Sequence, residues 1–243
     1  MRKNVTATLV ALGLAVSLAG GARAANLVQN GDFEILSNGT GQLGYNTDAT
    51  GWTTNGYNFV FASGTADTTG SNGSFGGLQL WGPNNGSANG LPATSPTGGN
   101  YVGADGAFEV GSIDQTIHGL TAGHQYEVSF DWGAAQQRGF DGATTDMWTV
   151  SLGNESHNTA IDSIDSHGFS GWQHQSFVYT ADSDTEVLKF LATGTPDGVP
   201  PFALLDGVSL KAVPEASTTV SLFIGFVVLG AFLRRARAKK ATA

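Results

Sequence analysis

The stretch His124 to Trp132 constrains this chain more than any other. Tyr126, Val128, Phe130 and Trp132 fall on one face of an extended segment, and Glu127, Ser129 and Asp131 on the other. Strict alternation over that length is the mark of an antiparallel strand with one side buried and one side wet. The 35 glycines are spread through the chain beside Asn, Ser, Thr and Asp, and they interrupt every stretch that might otherwise carry a helical period. Short alternating runs between Gly-rich turns predict an all-β sandwich or barrel.

Reading outward from that strand, an opening strand covers Asn26 to Glu34 and is interrupted by the Asn30-Gly31 turn signal. Gly51 to Phe61 reads as a strand pair, with Tyr57, Phe59 and Phe61 at period two, and Leu78 to Trp81 as a brief strand between the loops 63–76 and 82–99. Further strands are expected over 99–105, 112–117, 146–152, 172–180, 186–192 and 203–210. The loop Gly194 to Pro201 separates the last two, because adjacent prolines do not suit a central strand. Eight to ten strands without helices fit a two-sheet antiparallel jelly roll.

Both ends of the chain stand apart from this pattern. Arg2 and Lys3, an apolar run from Val5 to Leu18 and the small-x-small triplet Ala22-Arg23-Ala24 read as a signal peptide over 1–24. At the other end come Val213-Pro214-Glu215, an apolar helix candidate of 14 residues from Val220 to Leu233, and a basic block from Arg234 to Lys240. The apolar run is shorter than the roughly 20 residues that span a bilayer comfortably, and the basic block places the tail on the cytoplasmic side. This three-part pattern over 213–243 resembles the PEP-CTERM sorting tail, although the motif here lacks the second proline of the strictest form. The resemblance implies export to the cell envelope or extracellular matrix, transient anchoring in the inner membrane, and processing near Pro214-Glu215 by an exosortase-type membrane transpeptidase.

Residues 25–212 hold only three bases, Arg138, Lys189 and Lys211, against 19 acids, for a net charge of −16. Nucleic-acid binding through phosphate neutralisation is excluded by that balance. The chain has no cysteine, so neither disulfides nor thiolate metal sites are available to it. It carries no nucleophile elbow, zinc-protease helix, phosphate loop or dinucleotide fingerprint, and the expectation is a non-catalytic protein. The alternative is a carbohydrate-processing enzyme whose carboxylate pair comes from distant strands.

Three segments in order, Asn30-Gly31-Asp32-Phe33-Glu34, Gly119 to Phe130 and Leu204 to Leu210, resemble the galactose-binding-like jelly rolls that include carbohydrate-binding modules. The resemblance spans 25–212 and implies a structural or polysaccharide-binding protein. Trp81 enters the Gly-Asn-Ser-rich loop Gly82 to Gly90, where an aromatic either packs into the core or offers a platform to a pyranose ring. Arg138, after Gln136-Gln137, either bonds sugar hydroxyls or offsets nearby carboxylates. His118 and His124 flank one turn and are the one histidine pair of interest.

A structural Ca²⁺ is expected where the ends of the domain meet. In a jelly roll the first and last strands pair, which would bring Glu34 and Asp206 together. Two close carboxylates repel unless a cation joins them, and Ca²⁺ takes carboxylates and carbonyls together. Asp32 and the carbonyls around Asn30 would complete the shell, and the resemblance implies the same place. The other reading is a bulge at Asp206-Gly207 with Glu34 solvated.

Overall fold

The structure is a computed structural model that describes residues 24–64, 66–68 and 73–214. The expected signal segment, apart from Ala24, and the tail beyond Pro214 lie outside the described residues.

Among the described residues there are twelve strands: β1 (Gly41–Gln42), β2 (Thr53–Thr54), β3 (Asn58–Phe61), β4 (Tyr101–Asp105), β5 (Ile113–His118) and β6 (Gln125–Gln136), then β7 (Thr144–Leu152), β8 (Glu155–Asn158), β9 (Asp162–Ile164), β10 (Gln173–Thr180), β11 (Thr185–Thr195) and β12 (Pro201–Ala212). One antiparallel sheet runs β1-β3-β4-β12-β6-β10 and the other β2-β5-β11-β7-β8, with β9 also paired to β7. This is a two-sheet jelly roll, and no helix occurs among the described residues.

The alternation of β6 decides the core. Tyr126, Val128, Phe130 and Trp132 are all buried between the sheets, against Trp148 and Val150 of β7 and Leu188 and Phe190 of β11. The first sheet is also buried on its other face. Phe59, Phe61, Phe202 and Leu204 point away from the sandwich and are covered by Leu78, Leu80 and Leu91, which come from the long connection between β3 and β4. Two apolar layers thus share one sheet. The glycine-rich 62–100 connection, polar by composition, contributes three leucines that cover this outer face.

Several expected elements differ. Asn26 to Glu34 runs antiparallel to β12 without forming a strand. Leu27 N donates to Leu210 O and Val208 N to Gly31 O, both at 2.9 Å, but the left-handed backbone at Asn30 and Phe33 turns the chain out of a regular ladder. β2 and β3 do not pair with each other: β2 joins β5 in one sheet, and β3 joins β1 and β4 in the other. Leu78 to Trp81 makes only isolated bridges, through Gln79 to Asp67 and Leu80 to Gln137. Pro201 lies inside central β12, opposite Gln136. It is tolerated there because it is the strand's first residue. β8 and β9 were not anticipated.

Candidate functional site

At the end of the sandwich where β4, β6 and β11 finish and β7 and β12 begin, two adjoining hollows share Gly77 and Gln137. One, of about 320 Å³, is lined by Gln79, Trp81, Gln137 and Arg138. The other, of about 290 Å³, is lined by Tyr57, Phe75, Phe108, Phe140, Asp105 and Asp197. Together they form one cleft with an amide and a guanidinium at one end and a ring of aromatics at the other.

The aromatic end is built on Tyr57. Its ring meets Phe75 and Phe108 edge-on, with centroids 5.9 Å and 5.3 Å away, and those two meet each other at 5.5 Å. Tyr57 is buried, whereas Phe75 is 65% exposed and Phe108 41%. Two apolar rings left that open side by side in a cleft make an exposed patch of the kind that marks a contact surface. Asp105 closes β4 beneath these rings. Its Oδ1 accepts the N–H groups of Ala107 and Phe108, at 2.9 Å and 3.0 Å, which fixes the loop carrying Phe108. Burial, with Asp197 adding, pushes its carboxyl up to about 6.

At the polar end, Trp81 is half-buried and already engaged. Its indole stacks on His167 with centroids 3.9 Å apart, the Arg138 guanidinium lies 5.9 Å from its ring centre, and its Nε1 donates to Phe140 O at 3.1 Å. Arg138 donates to Gln79 Oε1 at 2.5 Å, and Gln79 in turn donates to Asp67 Oδ2 at 2.7 Å. The fully buried Gln136 accepts from His167 N at 2.6 Å and donates to Gly142 O at 2.9 Å. Trp81 therefore contributes an edge to the cleft and holds the loop that carries Phe140. Trp81 and Arg138, 57 positions apart in sequence, line the same hollow.

No protein-family model matches the chain, and no curated protein matches it. Among solved structures, TmCBM61 in complex with beta-1,4-galactotriose aligns with a TM-score of 0.41 at 15% identity, covering 78% of this chain and 100% of that one. The CBM22-1 xylan-binding domain of Paenibacillus barcinonensis Xyn10C aligns at 0.38 and 12%, covering 80% and 98%. The N-terminal cellulose-binding domain of Cellulomonas fimi beta-1,4-glucanase C aligns at 0.29 and 14%, covering 64% and 90%. These likenesses are distant, and the jelly-roll assignment rests on the two sheets themselves.

The residues expected to hold calcium lie around the loop Ser95 to Asn100, away from the cleft. Asp206 is fully buried. Ser95 Oγ and Thr97 Oγ1 both donate to its Oδ2, while its Oδ1 has no partner. Burial, opposed by those hydrogen bonds and by one from the Gly207 backbone and reinforced by Asp32, brings its carboxyl to about 6. Glu34 is exposed and reaches the other end of the loop, where Asn100 N donates to it at 2.5 Å. A Cβ at Gly99 would collide with that carboxylate, so glycine is what lets Glu34 approach the loop this closely. Asp32 is exposed. The Asn30 carbonyl already accepts from Trp52 Nε1 at 2.9 Å and from Phe33 N at 3.2 Å, so it is not free to join a shell. Among the described residues, no three acidic or histidine side chains form a metal-holding group. The bulge is present: β12 shifts register between Asp206 and Ser209, with Gly207 at φ +61.

His118 bonds Thr185 Oγ1 at 3.2 Å, and His124 sits in the turn after Thr121. Val213 continues from β12, its N–H donating to Gln125 O at 2.9 Å, Pro214 is exposed, and Glu215 lies outside the described residues. Phe75, Phe108 and Phe140 were not singled out from sequence. The available signal was an aromatic inside a polar turn, as in Ser74-Phe75-Gly76-Gly77, Ala107-Phe108-Glu109 and Gly139-Phe140-Asp141.

Proposed function

We propose that this is an exported, non-catalytic surface or matrix protein whose end cleft binds polysaccharide. The observation that carries this is one cleft that holds the exposed Phe75–Phe108 ring pair at one end, the Arg138 guanidinium at the other and the Gln137 amide in both hollows. Apolar faces of a sugar ring lie on aromatic rings, while its hydroxyls take bonds from amide and guanidinium groups. The acidity of the domain favours a neutral glycan over an acidic one. A glycan array on the purified protein, with hydrolysis assays on the same sugars, tests the reading. Binding without turnover is expected. Failure to bind any sugar would leave a purely structural role.

A carbohydrate-processing enzyme is the second reading, favoured by Asp105 and Asp197 lining one cleft. Turnover abolished by Asp197→Asn would establish it and end the binding-only view.

The sequence pattern supports export by the signal segment, transient anchoring through the apolar C-terminal run, and processing by an exosortase-type transpeptidase. Mass spectrometry of the mature protein should find its C-terminus near Val213 to Ser217. Intact Lys239-Lys240 on every exported copy would contradict that.

The unpartnered Asp206 oxygen, the Glu34 carboxylate seated against Gly99 and the all-oxygen donor set suit a structural Ca²⁺ held by Asp206, Glu34 and Asp32 with the hydroxyls of Ser95 and Thr97. The ion would neutralise carboxylates at the junction of the opening segment and β12. Loss of calcium-dependent stabilisation in Asp206→Asn tests it.

A further inference from the structure

Beneath the cleft, where the end of β4 meets β7 and β11, four oxygens have no hydrogen-bond partner. They are Oδ2 of Asp105, both carboxylate oxygens of Asp146, and Oγ1 of Thr144. Asp146 is 0% exposed, Asp105 1% and Thr144 2%. Thr144 and Asp146 occupy the first inward positions of β7, on the face that continues with Trp148 and Val150 into the core. Asp105 arrives from the other sheet. Its neighbour Gly106 accepts the N–H of Gly194 at 2.9 Å, and Gly194 is the residue of β11 directly opposite Asp146. A Cβ on Gly106 would stand 2.4 Å from Gly194 N, so glycine is what lets the end of β4 approach this closely.

A buried carboxylate with neither oxygen bonded is among the most costly groups a core can hold. Asp146 has no basic side chain as an ion-pair partner among the described residues, and Asp105 and Asp162 add negative charge around it. One shared proton between Asp146 and Asp105 would satisfy two of the four oxygens and leave the others as they are. A hard cation bonds all of them at once.

We propose that Asp105, Asp146 and Thr144 form a buried site for a hard divalent cation of the calcium class, loaded through the cleft that Asp105 lines. Two carboxylates supply the charge and the threonine hydroxyl a neutral ligand. Water from the cleft completes the six to eight oxygens, roughly 2.3–2.6 Å from the ion, that calcium takes. The site lies at the cleft end of the sandwich, where the end of β4 meets β7 and β11, whereas Asp206 lies partway along β12 against Ser95 and Thr97, so the two are separable. It depends on neither the Asp206 site nor polysaccharide binding.

The test is calorimetric titration of CaCl₂ into the EDTA-stripped full-length chain, with thermal melts in parallel. Asp146→Asn should bind one equivalent fewer than wild type, and Asp206→Asn should retain that equivalent. Thr144→Val, which keeps shape and removes one ligand, should bind the same equivalent more weakly. It serves as the measurement should Asp146→Asn fail to fold. A wild-type chain that binds no calcium overturns the proposal. So does a folded Asp146→Asn with the full complement, or a Thr144→Val with unchanged affinity at every site.

Discussion

The indole N–H of Trp148, on β7 of one sheet, donates to the carbonyl of Leu204, on β12 of the other, at 3.0 Å through the dry interior. Both residues are fully buried. The bond ties the sheets at the level where Phe190 packs edge-on against Trp148, 6.0 Å between centroids. Trp148→Phe keeps an aromatic there but removes the donor and part of the volume. The loss should be about 2–3 kcal/mol, roughly one for the hydrogen bond and the rest for the void. Urea denaturation should show a lower midpoint at unchanged slope, and an unchanged midpoint would refute the tie.

A second prediction concerns how the opening segment is held. A Cβ at Gly31 would fall on Val208 O, the backbone of β12 itself, which has no flexible end to move aside. Gly31→Ala should therefore pry the Asn26–Phe33 segment from β12, breaking the bond between Val208 N and Gly31 O. Hydrogen exchange at Val208 and Leu27 should accelerate, while exchange in β7 and β11 stays slow. Equal acceleration throughout would mean that the segment is not a separable unit.

The core was legible where burial is one-sided and sustained. Tyr126 to Trp132 alternates because β6 packs on the other sheet, and the period needs no knowledge of the partner. Pairing was less legible: the period of Thr53 to Phe61 is the same whether β2 and β3 join each other or, as here, part into separate sheets. Glu155–Asn158 of β8 carries no apolar residue and alternates only between half-buried and exposed, so it left no signal. The cleft was legible only residue by residue. Trp81 and Arg138 stood out by type, but their meeting depends on the 79–81 segment running beside 136–138, as in Arg138 N to Gln79 O at 2.8 Å. Local sequence does not encode that.

Tyr179 supplies a pH prediction. Its hydroxyl donates to Val150 O at 2.8 Å inside the core, and burial, with Glu155 adding, raises the phenol above its ordinary 10.0. The folded chain keeps this proton at a pH where the unfolded chain releases it. Its contribution is thus fully present below pH 10.0 and is lost as pH rises from there towards the folded value. Tyr179→Phe should cost about 1 kcal/mol at neutral pH, from the missing hydrogen bond. It should also soften the fall in stability between about pH 9 and pH 11. Urea midpoints across that range check it, and an equally steep fall in the variant would exclude Tyr179 as a source.

The last prediction separates contact from support within the cleft. Phe75 is 65% exposed and meets the rings of Tyr57 and Phe108 at the cleft, so Phe75→Ala should remove glycan binding and leave the melting temperature within about a degree or two. Trp81 differs because its ring and its N–H are both in use. Trp81→Ala deletes the stack on His167 and the bond to Phe140 O, and it frees the 139–142 loop that carries Phe140 over the cleft. Binding should fall as in Phe75→Ala, but stability should fall too, by about 2–3 kcal/mol for a half-buried tryptophan with one hydrogen bond. Trp81→Phe then discriminates between the two ways of losing binding. It keeps a ring on His167 and loses only the donor, so a role in holding the loop predicts partial loss of both binding and stability. Were Trp81→Ala to lose binding with an unmoved melting curve, the indole would be a direct sugar platform and its bond to Phe140 inconsequential.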